Sequence, residues 1–308
     1  TLGLMTLYIV AFRQGQQAFQ SILTAIGGMY EDNLYMSNLF EYLAIPTGRP
    51  APPPELAALP SGLEEGVRFD DVGFRYPGAE GWALRHVSLF IPRGQSLALV
   101  GQNGAGKTTF IKLLTRLYEP TEGRIMLDGR DLRTWDDETL RRRIGVIFQD
   151  FNQYQFRFRD NVGFGSVEHV EDVARLERAV DRGGADEVLR TLPAGLETPL
   201  GRWFKEGTEL SGGQWQKVAL ARAFMREEAD ILVLDEPTAA LDAEAEHAIF
   251  ERFRQLAHGR TTLLISHRLS TVRTADLILV LEGGRIVERG THAELLALGG
   301  IYARLYTL

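Results

Sequence analysis

The hydrophobic pattern changes character twice along the chain. From Thr1 to Ile45 it follows a helical period, with Ile22, Ile26, Met29, Leu39 and Leu43 on one stripe and no proline before Pro46. One continuous helix over 1–45 is predicted, about 68 Å long at roughly 1.5 Å per residue. The stretch PTGRPAPPPELAALPSG, 46–62, then carries half of the chain's 12 prolines, which stops the helix and predicts an extended linker and a domain boundary. From Leu63 onward the runs are short and β-rich: VRFDDVGFRY, VSLFI, SLALV, GRIMLDG and IGVIFQD. A helical subdomain is expected over about 151–229, with VEDVARLERAV its clearest amphipathic stretch. ILVLD and TTLLIS are continuous apolar runs of the buried parallel-strand type, and LILVL and GRIVERG follow them. Strands alternating with helices predict an α/β fold over 63–308, with a parallel core, antiparallel strands at its front and a helical insert.

The opening run TLGLMTLYIVAF is too short to cross a bilayer alone and lacks the basic leader of a signal peptide. Carried on as a 45-residue helix, it is expected to be partly transmembrane. Gln14, Gln16, Gln17 and Gln20 would then face other helices or a wet cavity. A soluble amphipathic helix packed on a partner fits the same stripe.

Composition narrows this further. A chain of 308 residues holds about two domains, and a formal net charge of −7 argues against a nucleic-acid binder acting through bulk positive charge. Without a cysteine there are no disulfides, iron–sulfur clusters or thiolate zinc sites.

Three motifs carry chemistry. GQNGAGKTT, Gly101 to Thr109, lies between an apolar strand and a helical run and matches G-x-x-x-x-G-K-S/T throughout. Glycines let the backbone of Gly101, Asn103, Gly104, Ala105 and Gly106 wrap an anion at a helix start. Lys107 adds a point charge, and Thr108 offers a hydroxyl to Mg²⁺, with Thr109 beside it. ILVLDEP, Ile231 to Pro237, ends a strand in two carboxylates: Asp235 for Mg²⁺, and Glu236 to orient a water. LSGGQ, Leu210 to Gln214, opens a second helix, so Ser211, Gly212, Gly213 and Gln214 form another phosphate-suited helix start. One nucleotide already has the first, so this one is expected to grip a nucleotide held by another subunit; an ordinary serine N-cap is the plainer alternative.

In this order the motifs resemble the nucleotide-binding domain of an ATP-binding-cassette (ABC) transporter of the exporter type, closely over 63–308 and more loosely over 1–45. The resemblance implies a P-loop NTPase fold, ATP and Mg²⁺ as cofactors, and residues 1–45 as the end of a last transmembrane helix with its cytosolic extension. By position, Tyr76 resembles the aromatic that stacks on adenine. Gln149 resembles the Q-loop glutamine that touches Mg²⁺ and water, Asp242 closes the D-loop AALD, and His267 matches the switch histidine at the γ-phosphate. One segment departs from the pattern: TPLGRWFKEGTELSGGQ has Arg202 where the family usually has glutamate, which puts its coupling contact in question.

The resemblance implies ATP hydrolysis with Glu236, His267, Gln149 and Lys107 as catalytic residues, between two cassettes that form a homodimer or heterodimer. It also implies further membrane spans ahead of Thr1 that contact an unidentified transported substrate, no nucleic-acid partner, and a plasma-membrane location with this domain on the cytoplasmic side. A soluble ATPase of DNA maintenance would carry long coiled coils within the domain, and no heptad tract interrupts this one. A translation-associated relative would hold two such domains in one soluble chain.

Overall fold

A computed structural model describes residues 2–45, 65–148, 150–203, 205–235, 259–266 and 269–307. The chain divides into two compact units, 1–51 and 52–308. The first is one helix, α1 (Leu2–Leu43), and a short turn, as the proline-free pattern predicts. Its described side chains are exposed, including Leu7, Phe12, Ile22 and Met29. The expectation that α1 is partly transmembrane needs correction: no helix among the described residues is long and apolar enough to cross a membrane. Arg13 and the four glutamines fall in the middle of the apolar run, and each polar group is costly to strip of water. The proline-rich stretch 46–62 lies outside the described residues.

The second unit begins with β1 (Gly66–Phe74) and β2 (Leu84–Pro92), an antiparallel pair in which Val67 faces Ile91. With β4 (Glu122–Leu127) and β5 (Arg130–Asp131) they form a four-stranded sheet in the order β2-β1-β4-β5. This is the expected antiparallel front, with the two-residue β5 added to it.

The larger sheet contains β3 (Ser96–Val100), β6 (Ile144–Ile147), β7 (Ile231–Asp235), β8 (Thr261–Ile265), β9 (Leu277–Glu282) and β10 (Arg285–Gly290). Its order is β10-β9-β3-β8-β7-β6, parallel throughout except for the β9–β10 hairpin. Side-chain alternation feeds separate cores from the two faces. Leu97 and Leu99 of β3 join a cluster reaching the antiparallel sheet, while Ala98 and Val100 pack with Val272, Leu295 and Tyr302 near the C-terminus. On β7, Ile231 and Val233 face the first cluster, whereas Leu232 and Leu234 face the helical subdomain. Between the sheets runs α2 (Lys107–Leu114), whose Phe110 stacks on Phe69 with ring centroids 4.2 Å apart.

The helical subdomain holds α4 (Phe158–Gly163), α5 (Val173–Gly183), α6 (Asp186–Thr191) and α7 (Gly212–Phe224); α3 (Asp137–Arg143) precedes β6. Its core is built from Phe158, Val162, Leu176, Val180, Val218 and Phe224.

Candidate nucleotide site

The first helix start is open by construction. Gly106 is the N-cap of α2, with φ of 105° and no side chain capping the helix. A Cβ there would meet the Ala83 carbonyl oxygen and Leu84 Cδ2, each at 2.7 Å, so only glycine lets the loop turn so close to β2. The first-turn amides therefore face the loop without a side-chain acceptor, at the positive end of the helix. Lys107, 7 % exposed, folds back over the loop, its Nζ donating to the carbonyls of Gly101 (2.8 Å) and Gln102 (3.1 Å). Asn103 and Gly104 are exposed at the tip, Ala105 is buried beneath it, and Thr108 is half-buried.

Sheet register brings the acidic strand end to the same level. Leu99 of β3 and Asp235 of β7 both pair with Ile265 of the intervening β8, so the loop leaving β3 and the carboxylate ending β7 share one row. Asp235 is 1 % exposed. A buried ammonium, a side-chain-free helix start, a half-buried hydroxyl and a buried carboxylate fit a polyphosphate with a hard divalent cation. Among the described residues no group of three or more His, Cys, Asp or Glu could hold a metal unaided. Mg²⁺ fits such a site, since it is usually held by one or two protein oxygens together with phosphate oxygens.

Tyr76 stands beside this loop, half-buried, its hydroxyl 3.1 Å from Thr109 Oγ1. Its ring meets Phe74 at 4.9 Å and Tyr118 at 5.3 Å, with Lys112 Nζ 5.6 Å from its centroid. Tyr118, which pattern reading passes over, completes this aromatic cluster; its only signal is an aromatic just past the end of α2.

The second helix start is closed onto itself. Ser211 Oγ accepts from Gln214 N (3.3 Å), and Ser211 N donates to Gln214 Oε1 (2.8 Å), a reciprocal capping box. The serine N-cap reading of LSGGQ therefore describes the local structure. It does not exhaust it: Ser211 and Gly212 are exposed, Gly213 and Gln214 half-buried, and the serine O–H remains a donor. Trp215, Val218 and Phe224 anchor α7 beneath them.

In the segment with the unusual arginine, Arg202 forks onto Glu209, at 2.8 Å from Nε and 2.7 Å from Nη2. Trp203 beside it is 84 % exposed. Gln149, Glu236, Asp242 and His267 lie outside the described residues.

Fold and loop together define a P-loop nucleotide-binding domain. The ABC transporter family model matches residues 84–239, just over half of the chain, and the chain belongs to that family. The subtilin transport ATP-binding protein SpaT of Bacillus subtilis is 38 % identical over 304 residues, 99 % of this chain and 49 % of that protein. An ATP-dependent lipid A-core flippase of Cupriavidus metallidurans is 44 % identical over 257 residues, 83 % of this chain and 43 % of its own. A bacterial Atm1-family ABC exporter solved with ATP bound superposes with a TM-score of 0.80 at 34 % identity, over 90 % of this chain and 47 % of that one. The chain thus spans about half the length of the relatives it matches. The family's cofactors are ATP and Mg²⁺, which the residues above fit.

Proposed function

We propose that this chain is the ATP-hydrolysing part of an exporter and works as one of two cassettes that share their nucleotides. The observation that carries the reading is the contrast between the two helix starts. One is glycine-capped and backed by Lys107, in register with Asp235; the other is an exposed, self-capped serine on a separate subdomain. In this reading Lys107 and the α2 amides hold the phosphates, Thr108, Gln149 and Asp235 hold the cation, and Tyr76 lies against the base. When bound, Mg²⁺ neutralises charge on the phosphate oxygens. Glu236 orients the attacking water, His267 donates toward the terminal phosphate, and Asp242 belongs to the loop that meets the partner. Ser211 and Gly213 close the far side of the partner's site. Because both halves of the site keep their expected residue types in one sequence, a second copy of the chain suffices to build two complete sites, although a related chain would serve.

The domain limits 1–45, 46–62 and 63–308 follow the same reading. The relatives named above support a plasma-membrane location with the cassette on the cytoplasmic side. Glu236→Gln is expected to abolish ATP turnover while ATP still drives pairing, read by phosphate release and by sedimentation; undiminished phosphate release would remove Glu236 from its role.

A further inference from the structure

Arg222, near the end of α7, is a half-buried guanidinium whose partners among the described residues are oxygens of amide groups and a ring. Its Nε donates to the Asn161 carbonyl (2.7 Å), Nη2 to Asn161 Oδ1 (3.3 Å) and Nη1 to the Asn152 carbonyl (3.0 Å). The guanidinium also lies 4.8 Å from the centroid of the Tyr154 ring. Burial lowers the pKa of Arg222, the direction expected where desolvation outweighs charge pairing.

Asn161 itself is 0 % exposed and is turned wholly to one task. Its Nδ2 donates to the carbonyls of Tyr154 (2.9 Å), Arg157 (3.1 Å) and Phe156 (3.4 Å). On its other side the same segment meets the loop that carries Arg202. Phe158 N donates to Thr198 O and Leu200 N to Phe156 O, each at 2.9 Å, and Trp203 N donates to Gln155 Oε1 at 3.3 Å. The two N–H donors of one amide group are thus shared among three backbone carbonyls of 154–157, and its oxygen accepts from Arg222.

We infer that Arg222 and Asn161 form a polar clasp that fixes residues 152–157 to the helix opened by Ser211, making Arg222 a positioning residue for ATP turnover. The inference rests on the proposed function, because 152–157 follows Gln149 by three residues in sequence and α7 carries the serine that meets the partner's nucleotide. With the clasp closed, the segment leading away from the glutamine and the helix leading away from the serine form one body. Displacement of one would carry the other.

The test uses the full-length protein with Arg222→Met, Arg222→Lys and, as a control, Arg226→Met. Arg226 also sits near the end of α7, and burial lowers its pKa too, yet its Nε donates to the Gly165 carbonyl (2.8 Å), away from 152–157. Hydrogen exchange without nucleotide should quicken across 152–158 in Arg222→Met and stay unchanged there in Arg226→Met. For hydrolysis, Arg222→Met is expected to lower kcat about tenfold or more, since a misplaced group about 1 Å from its position costs that much, while KM for MgATP holds within about twofold. Arg222→Lys, which keeps the charge but not the fork, should fall between the two, and it carries the test alone if the methionine variant does not fold.

Unchanged exchange over 152–158 would overturn the clasp. A rise in KM at constant kcat, or parallel losses of kcat and Tm in Arg222→Met and Arg226→Met, would overturn the positioning role. Wild-type protein without ATP turnover would sink the proposed function and the positioning role together, and the exchange data would still distinguish that result from failure of the clasp.

Discussion

Gly106 and Gly104 separate two reasons for glycine in one loop. Both have positive φ, but a Cβ on Gly104 meets nothing within 4 Å, whereas one on Gly106 meets Ala83 O and Leu84 Cδ2 at 2.7 Å. Gly104→Ala should therefore cost about 1 kcal/mol, from backbone conformation alone. Gly106→Ala should cost about 3 kcal/mol or more, because backbone must also move. Urea titration of the two variants checks the order, and equal costs would contradict the packing argument. The residue types of this loop were legible in sequence because phosphate binding needs that spacing locally. The identity of what crowds Gly106 was not, since Ala83 and Leu84 reach it only through tertiary packing. The same is true of Tyr76: its place in FRYPG is visible in the sequence, but its bond to Thr109 and its packing on Tyr118 depend on α2 lying beside β1.

At the scale of elements, continuous apolar runs mark the strands that are buried on both faces. SLALV, ILVLD and TTLLI became β3, β7 and β8, since a continuous apolar run has few other uses beside phosphate-binding turns. The helical subdomain was legible as a region and not in its parts, because α4 and α6 are six residues each and owe their existence to packing more than to periodicity. Two predictions belong here. Aspartate caps a helix about as well as serine, so Ser211→Asp should leave Tm nearly unchanged while, under the proposed sharing of nucleotides, its charge would repel the partner's phosphates and abolish turnover. Turnover near wild type in that variant would confine Ser211 to capping.

The second concerns the ion pairs that fasten α5 to the residues after α7. Arg175 forks onto Glu228 at 3.0 and 2.6 Å, and Arg178 and Arg182 reach Glu227 at 2.9 and 3.0 Å. Hydrogen bonds from Arg175 and Arg178 hold the respective carboxyls below the ordinary glutamate value of 4.5. A depressed folded pKa means that this stabilisation is complete above the unfolded value and is lost as pH falls through the folded one. Tm measured from about pH 6 to about pH 3 should fall in that acid range, and Glu228→Gln should flatten part of the slope. An unchanged slope would show that the pair adds nothing across the fold.

At the scale of the whole molecule, the pattern of the sequence runs from a helical period through a proline-rich stretch to β-rich runs, and the chain divides into two compact units, 1–51 and 52–308. A helix does form over Leu2–Leu43, but hydropathy does not make it a membrane span, because amides and an arginine interrupt the apolar run. The proposed pairing of two cassettes is likewise not encoded in local pattern. The proposed function requires that a nucleotide be shared between two chains. Having no cysteine, the chain offers a clean background for testing it. Asn103→Cys and Ser211→Cys, combined with Glu236→Gln to hold the closed state, place one thiol on the exposed loop tip and one at the exposed helix start. Oxidation in MgATP is predicted to yield covalent dimers joined between these two positions, with neither single-cysteine variant giving that linkage. If the doubly substituted protein binds MgATP yet forms no such inter-chain bond, the nucleotide is not shared between the loop of one chain and the serine of another.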